Sequence, residues 1–288
     1  EMCIRDSSSC RLPIRHQSNG YIFIGLFHPL LNIVVGTGSL FNPVRLKTTL
    51  SLKQCRSERL LFYPITMHGS DQKMNCLRKM TRTHTTQTAG EAGLIELDID
   101  FPDVCTQGIA FLAHPITTQG GSKDHKVITT MAKALVSGGW LVVRPNCRGA
   151  GRSEGEYNAG PGEAADFLRV IDAVFEMREV AEALPVGGRA VFGGFSFGTY
   201  VMSLAAQIRK PAAMIYAGPA VHKFDIVHPG CPAFVVHAQN DELAPLNTVL
   251  SWANLNNLTV DVIPATNHVF AKKLPQLSRV FSQFVALL

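Results

Sequence analysis

The chain has 288 residues, of which 46% are hydrophobic and 17% are charged. This is enough apolar material for a buried core, so the composition excludes a disordered chain. The net charge of +5 arises in the first quarter: residues 1–79 carry 11 Lys or Arg and 4 Asp or Glu, whereas the other 209 residues carry 16 and 18. Because the larger part has no basic excess, we expect no nucleic-acid partner.

Residues 1–79 show no sustained periodicity from which a strand or helix can be placed. Their opening letters, EMCIRDS, resemble a translated sequencing adaptor, whereas Met80 begins a plausible native start. We interpret residues 1–79 as a non-native or disordered extension, with a real but poorly ordered segment as the alternative. Residues 80–288 then form the folded domain.

The apolar stretch 21–35, YIFIGLFHPLLNIVV, is the candidate for a targeting segment. His28, Pro29 and Asn32 interrupt it, and a membrane span needs about 18–20 apolar residues without such interruptions. We therefore expect no membrane partner.

Short apolar segments after Met80 alternate with segments of helical spacing. Strands are predicted at 94–100, 108–114, 140–145, 189–195, 212–218, 232–238 and 258–264. Helices are predicted around 127–135 and at 162–182, 197–208, 246–256 and 277–288. In LIELDID at 94–100, apolar and polar residues alternate, which predicts a strand with one exposed face. The alternation predicts an α/β fold, a mostly parallel sheet with helices on both faces, whose ligands bind at the carboxyl ends of the strands.

The strongest motif is Gly194-Phe195-Ser196-Phe197-Gly198, a G-x-S-x-G between a predicted strand and a predicted helix. This context is typical of a nucleophile elbow, in which a sharp turn exposes a serine. The alternative is a tight turn with a structural serine. Ser196 is therefore the candidate nucleophile.

A serine nucleophile needs a base, and the base needs an orienting carboxylate. In chain order the acid follows the serine and the histidine comes last. Asp241 follows the strand at 232–238, and His268 follows the strand at 258–264, so we predict a catalytic triad of Ser196, Asp241 and His268. Glu242 is the alternative acid, and Asp261 is less suitable because it lies within a strand.

An oxyanion hole needs two backbone N–H donors. Phe197 follows the nucleophile and supplies one. The second is expected from the loop after the strand at 108–114, where Pro115 has no N–H and Ile116 is the candidate. His114 is interpreted as a residue that orients this loop.

Residues 146–155, NCRGAGRSEG, superficially resemble a phosphate loop but lack its GK[ST] ending, so we interpret them as a structural loop beside the site. The histidines, among them His222, His228 and His237, show no HExxH-like spacing, and we expect neither a metal nor another cofactor. Cysteines 105, 147 and 231 are odd in number and lack paired spacing, which is typical of reduced thiols in a cytoplasmic protein.

The segments HPITTQGGSKDHKV, RPNCRGAGRSEG, GGFSFG, HAQNDELAPL and IPATNH occur in this order. Together they resemble the α/β-hydrolase superfamily, most closely its small, lidless, dienelactone-hydrolase-like bacterial members of unassigned substrate. The resemblance covers residues 93–288 and implies an eight-stranded sheet, the triad named above, and acyl transfer to water without a cofactor. We assign the hydrolase domain to residues 80–288. Two positions depart from the pattern: Ser196 stands where dienelactone hydrolases have cysteine, and Gln239 where relatives often have aspartate.

These observations favour a serine hydrolase that cleaves small carboxylic esters or thioesters through an acyl-enzyme on Ser196. A peptidase or amidase with the same triad is an alternative, as is a non-catalytic binding module on a hydrolase scaffold. The ten residues 222–231 between two strands are too few for a helical lid. We therefore expect an open cleft and short acyl substrates.

Overall fold

The computed structural model describes residues 11–15, 21–27, 30–36 and 82–288. The chain divides into two compact units, Glu1–Gln72 and Lys73–Leu288. In the first unit, β1 (Arg11–Arg15), β2 (Tyr21–Phe27) and β3 (Leu30–Gly36) form an antiparallel sheet. The sequence did not indicate these strands, and the apolar stretch considered for targeting contributes to β2 and β3. Met80 lies outside the described residues, and the non-native origin of residues 1–79 stays a prediction.

The second unit is built on an eight-stranded sheet. Its strands are β4 (Arg82–Ala89), β5 (Leu94–Phe101), β6 (Gly108–Ala113), β7 (Trp140–Pro145), β8 (Arg189–Phe195), β9 (Ala213–Ala217), β10 (Ala233–Ala238) and β11 (Val260–Ile263). The order across the sheet is β11-β10-β9-β8-β6-β7-β5-β4. The six strands from β11 to β7 are parallel, and β5 and β4 are antiparallel to their neighbours. The predicted mostly parallel α/β fold is confirmed.

Helices cover both faces of this sheet and enclose two hydrophobic clusters. The helices are α1 (Lys126–Ser137), α2 (Pro161–Glu176), α3 (Arg178–Ala183), α4 (Phe197–Ile208), α5 (Leu246–Leu255) and α6 (Leu274–Leu287). Buried side chains of α2, α3, α4 and α5 belong to one cluster, and those of α1 and α6 belong to the other. Because both faces are covered, the central strands are apolar throughout, which explains why they appear in the sequence as short continuous apolar runs.

Two elements differ from the sequence prediction. β4, with the sequence RTHTTQTA, was not predicted, because its threonine-rich alternation contains almost no apolar residue. The predicted helix 162–182 is two helices, separated by extended backbone at Met177. Val170, Ile171 and Val174 bury one face of α2, and on a continuous helix Val180 would point away from that face. The break at Met177 changes the phase, so that Val180 is fully buried.

The polar face of β5 is also buried, contrary to the prediction of an exposed face. Glu96, Asp98 and Asp100 are each at most 9% exposed. The Lys123 Nζ donates to Asp98 at 2.8 Å, and the Arg144 guanidinium donates to Asp100 at 2.7 Å and to Asp98 at 3.2 Å. These two cations neutralise carboxylates that water cannot reach, which allows an alternating strand to lie inside the protein.

Asp98 is the centre of this ionic cluster. Its burial alone would raise the pKa of the carboxyl, but hydrogen bonds from Lys123 and from Thr85 outweigh this effect and hold the pKa below its ordinary value. The carboxylate is thus stabilised in the folded protein relative to the unfolded chain.

Three thiols lie in the part of the chain at 82–288, and Cys105, Cys147 and Cys231 are all unpaired. Among the described residues, no helix is both long and apolar enough to cross a membrane. The cytoplasmic location expected from the reduced thiols stays a prediction.

We predict that Asp98→Asn lowers the free energy of unfolding at pH 7 by about 3 kcal/mol or more, because Lys123 loses its buried carboxylate partner and Arg144 loses one of its two. Asp172→Asn is the control, since the Asp172–Arg209 pair is about half exposed and should contribute at most about 1 kcal/mol. Urea denaturation measures both changes. Equal losses in the two variants would contradict the prediction.

The same comparison has an expected pH dependence. The advantage of the wild type over Asp98→Asn is fully present above about pH 4, where the unfolded carboxyl is ionised. It decreases as the pH falls through the lower pKa of the folded state, because protonation then removes the ion pair.

Candidate active site

Ser196 lies in the turn between β8 and α4, at the carboxyl edge of the sheet. Its backbone has φ +55° and ψ −119°, a left-handed conformation that a serine rarely adopts. Two glycines make this turn possible. A Cβ on Gly194 would lie 2.4 Å from the carbonyl carbon of Gly198, and one on Gly198 would lie 2.1 Å from the carbonyl oxygen of Ala113. The G-x-S-x-G motif thus corresponds to two backbone contacts that exclude a side chain.

Ser196, His268 and Asp241 form one continuous hydrogen-bond chain. The Ser196 hydroxyl lies 2.8 Å from the His268 Nε2, and the His268 Nδ1 lies 2.7 Å from the Asp241 Oδ2. Since a carboxylate only accepts, Nδ1 carries the proton and Nε2 accepts from the serine. The three side chains predicted from the sequence therefore meet, although they are up to 72 positions apart.

Asp241 is held by the turn that it begins. Its Oδ1 accepts from the backbone N–H of Leu243 at 3.0 Å and of Ala244 at 2.8 Å, and its side chain has no exposed surface. Burial alone would raise the pKa of Asp241, but the hydrogen bond from His268 and the N–H of Ala244 hold it below its ordinary value. Asp241 is therefore an ionised acceptor for His268.

The other acids considered from the sequence do not take this position. Asp241 binds His268, whereas Glu242 and Asp261 are exposed. Asp261 lies on β11, at the edge of the sheet. The structure thus brings Asp241, rather than either alternative, to the histidine.

The two candidate oxyanion donors lie on neighbouring segments. Phe197 is the first residue of α4, where backbone N–H groups have no helical acceptor. Ile116 follows β6, and its loop runs against the first turn of α4, since a Cβ on Gly198 would also meet the His114 carbonyl oxygen at 2.7 Å. Within residues 82–288, neither N–H donates to a protein group. Both are therefore free to receive an anionic oxygen.

His114 fastens the Ile116 loop to the next loop along the sheet. The His114 Nδ1 donates to the Pro115 carbonyl oxygen at 2.6 Å, and the Nε2 accepts from the Cys147 N–H at 2.8 Å. Complete burial lowers the pKa of His114 to about 4, so the ring is neutral, as this pair of bonds requires. His114 therefore orients the loop, as the sequence suggested.

The 146–155 loop is structural, as predicted. The side chain of Asn146 donates to Glu96 at 2.8 Å and accepts from the Lys123 N–H at 2.8 Å, and Arg148 forms a buried ion pair with Asp166 at 2.7 Å. The polar side chains of Asn146 and Arg148 are thus occupied by protein partners.

Sequence reasoning missed several residues around the triad. Phe195 lies between two imidazoles, with ring centres 5.0 Å from His125 and 4.9 Å from His268. His237 on β10 is fully buried, and its Nε2 lies 3.5 Å from the Asp241 Oδ2. The signal in the sequence was a single histidine in an otherwise apolar strand. The spacing of His237 had been considered only for metal binding. Among residues 82–288, no group of three potential metal ligands occurs.

A cluster of four aromatic side chains lies on the α4 side of the elbow. Phe197 contacts Tyr157 and Phe224 with ring centres 5.4 and 5.3 Å apart, and Tyr200 stacks on Phe224 at 4.9 Å. Phe197 is buried, whereas the other three are partly exposed. The cluster holds the first turn of α4, and thereby the Phe197 N–H, against the body of the domain.

Comparisons with known proteins agree with this geometry. A solved lidless α/β serine hydrolase of Xanthomonas campestris is 30% identical, covers 72% of this chain and 95% of its own, and superposes with a TM-score of 0.65. The chain belongs to the lidless α/β serine hydrolases. The family and fold implied by the sequence motifs are thereby confirmed, and the protein is a hydrolase.

Other relatives extend the comparison. An α/β serine hydrolase homologue from Coxiella burnetii is 28% identical, with a TM-score of 0.63, and the match covers 70% of this chain and 96% of that one. An uncharacterized protein of Rickettsia prowazekii is 27% identical over 192 residues, or 62% of this chain and 78% of that protein. The family model of the X-Pro dipeptidyl-peptidases (S15) matches residues 110–230, a range that contains Ser196 but neither Asp241 nor His268.

We predict that Gly198→Ala lowers the free energy of unfolding of this hydrolase by about 3 kcal/mol, because the new methyl group collides with the β6 backbone. Gly187→Ala is the control: its φ is +73° but its Cβ would meet nothing within 4 Å, so only the left-handed backbone costs about 1 kcal/mol. Thermal and urea denaturation give both values. A loss at Gly198 no greater than at Gly187 would show that α4 does not press on β6.

Proposed function

We propose that this serine hydrolase cleaves small carboxylic esters, with thioesters as chemically related substrates, through an acyl-enzyme on Ser196. The observation that carries the proposal is the hydrogen-bond chain from the Ser196 hydroxyl through His268 to the ionised Asp241. A serine hydroxyl is a weak nucleophile, and an adjacent neutral imidazole is the group that activates it.

In the acylation step, the Ser196 Oγ attacks the carbonyl carbon of the ester while its proton passes to the His268 Nε2. The imidazolium that forms donates through Nδ1 to Asp241, whose negative charge stabilises it. The carbonyl oxygen becomes an oxyanion, and the N–H groups of Phe197 and Ile116 are suited to bind it. Collapse of the intermediate expels the alkoxide, which takes the proton from Nε2.

In the deacylation step, a water molecule takes the place of the alcohol. His268 removes a proton from this water as it attacks the acyl carbon, and then returns the proton to the Ser196 Oγ. The products are the free acid and the regenerated serine. Each proton in this cycle moves through the His268 Nε2.

Small substrates are favoured by the short connection between β9 and β10. Residues 218–232 link the two strands without a helix, where a lid domain would require several. Each buried methylene of an acyl chain contributes about 0.8 kcal/mol only if protein covers it. An uncovered site gains little from chain length.

A peptidase activity is the second candidate, because the X-Pro dipeptidyl-peptidase model matches residues 110–230. The same triad chemistry cleaves amides, with His268 as the acid that protonates the leaving amine. The two candidates are separated by comparing kcat/KM for p-nitrophenyl acetate with that for an Xaa-Pro p-nitroanilide. We expect the ester to be the better substrate, and a faster anilide reaction would reverse the assignment.

We predict that Ser196→Ala and His268→Ala each lower kcat on p-nitrophenyl acetate by about 10³-fold or more, because the triad acts as a unit. Asp241→Asn should cost a similar order, since it disturbs the imidazole tautomer. Steady-state kinetics measure these changes.

Glu242→Gln and Asp261→Asn are the matched controls, since both carboxylates are exposed and neither binds His268. Both should keep wild-type kcat. Of Ser196→Ala, Glu242→Gln and Asp261→Asn, only Ser196→Ala should lose covalent labelling by a fluorophosphonate probe. A Ser196→Ala protein that keeps more than about a tenth of the activity would refute the triad, and a wild type that resists labelling would indicate a non-catalytic binding module.

We predict a preference for acyl chains of about two to four carbons, because residues 218–232 contribute no helix that could cover longer chains. The measurement is kcat/KM for p-nitrophenyl esters from acetate to palmitate, below and above the solubility limit of each ester. The activity should not increase at the lipid interface. A value that climbs steadily to the longest chain would rule out an open cleft.

A further inference from the structure

His237 is a buried histidine that the proposed reaction does not use. It lies on β10, four residues before Asp241, and has no exposed surface. Its Nε2 lies 2.8 Å from the carbonyl oxygen of Ala244. Its Nδ1 is buried and has no hydrogen-bond partner among the residues that the structure describes.

These contacts fix the state of the ring. A carbonyl oxygen only accepts, so Nε2 carries the proton. Burial lowers the pKa of His237. A proton on Nδ1 would have no described group to donate to. His237 is therefore a neutral imidazole that directs one N–H towards the turn containing Asp241.

This N–H is connected to the acid through two consecutive hydrogen bonds. His237 donates to the carbonyl oxygen of Ala244, and the N–H of Ala244 donates to the Asp241 Oδ1 at 2.8 Å. The same Nε2 lies 3.5 Å from the Asp241 Oδ2, the oxygen that accepts from His268. One imidazole N–H thus fixes the turn that holds one carboxylate oxygen and faces the other.

We infer that His237 is a positioning residue for the triad acid, holding the Asp241–Ala244 turn so that Oδ2 faces His268. The inference rests on the proposed triad function and extends it to a fourth side chain.

Packing alone does not explain a histidine at this position. A buried polar nitrogen without a partner destabilises a folded protein, and an apolar side chain of similar size would avoid that cost. His237 carries this cost, but it also supplies one N–H donor that an apolar side chain would lack. The donor is directed to a turn whose residues hold Asp241, and this connects the side chain to the site.

The test is a double-mutant cycle on the full-length chain, read as the rate constant of Ser196 labelling by a fluorophosphonate. His237→Phe should slow labelling by about 10-fold or more in the wild-type background, on the scale seen when partners of functional side chains are removed. In the Asp241→Asn background, the same change should have an effect of less than about 2-fold, because the acid through which it acts is absent.

Three further variants separate the effect of the lost N–H donor from a general effect on folding. In His237→Gln the amide nitrogen lies near the former Nε2 position, and labelling should be restored to within about 3-fold of the wild type. In His237→Asn the amide lies one bond short, near Nδ1, and labelling should stay slow. His228→Phe is the matched control, a partly buried histidine whose partner is the Tyr216 hydroxyl, and it should label at the wild-type rate.

Equal slowing by His237→Phe in both backgrounds would overturn the inference, because the effect would not pass through Asp241. If His237→Phe does not fold, the Gln and Asn variants decide: equal labelling rates for the two would also overturn it. Loss of labelling in Ser196→Ala with normal labelling in every His237 variant would leave the proposed function standing and remove His237 from it. Persistent labelling in Ser196→Ala would instead contradict the proposed function itself.

Discussion

The close contact between the first turn of α4 and the end of β6 is the constraint on which the site depends. It leaves no room for a Cβ at Gly198, just as the turn from β8 into α4 leaves none at Gly194, and Ser196 between them has a positive φ. A serine in this conformation is strained, so the surrounding packing must hold it there. The same contact brings the Ile116 loop beside the Phe197 N–H. One steric constraint therefore positions both the candidate nucleophile and the candidate oxyanion donors.

The loops that follow β6 and β7 are held by buried polar groups as well as by apolar packing. His114 joins the Ile116 loop to Cys147, and Asn146 joins the 146–155 loop to Glu96 and to the backbone of Lys123. Buried charges are costly unless each has a partner, and here cations and carboxylates alternate across the face of β5. Such a network permits few alternative arrangements of these loops.

Histidines occupy three different environments in the triad and in the segments that support it. His268 bridges a serine and an ionised carboxylate, and His114 is neutral and joins two loops. His237 donates to the carbonyl oxygen of Ala244, in the turn that holds the acid. The same side chain thus supplies a proton carrier, a loop clamp and a turn support. The difference lies in which ring nitrogen faces an oxygen that only accepts, a carboxylate for His268 and a backbone carbonyl for His114 and His237, because that contact fixes the tautomer.

The sequence by itself determined the α/β fold class, the boundaries of the central strands, and the order of Ser196, Asp241 and His268. Apolar periodicity and a steric motif such as G-x-S-x-G are local features, so they can be recognised in the amino-acid sequence itself. The tertiary structure alone decided the β4 strand, the break at Met177, the buried polar face of β5 and the position of His237 beside Asp241. LIELDID has the alternation of a half-exposed strand, and only the arrival of Lys123 and Arg144 from other elements buries its carboxylates. Contacts of this kind depend on the order of strands in the sheet, and no local pattern records which distant residue will become a neighbour.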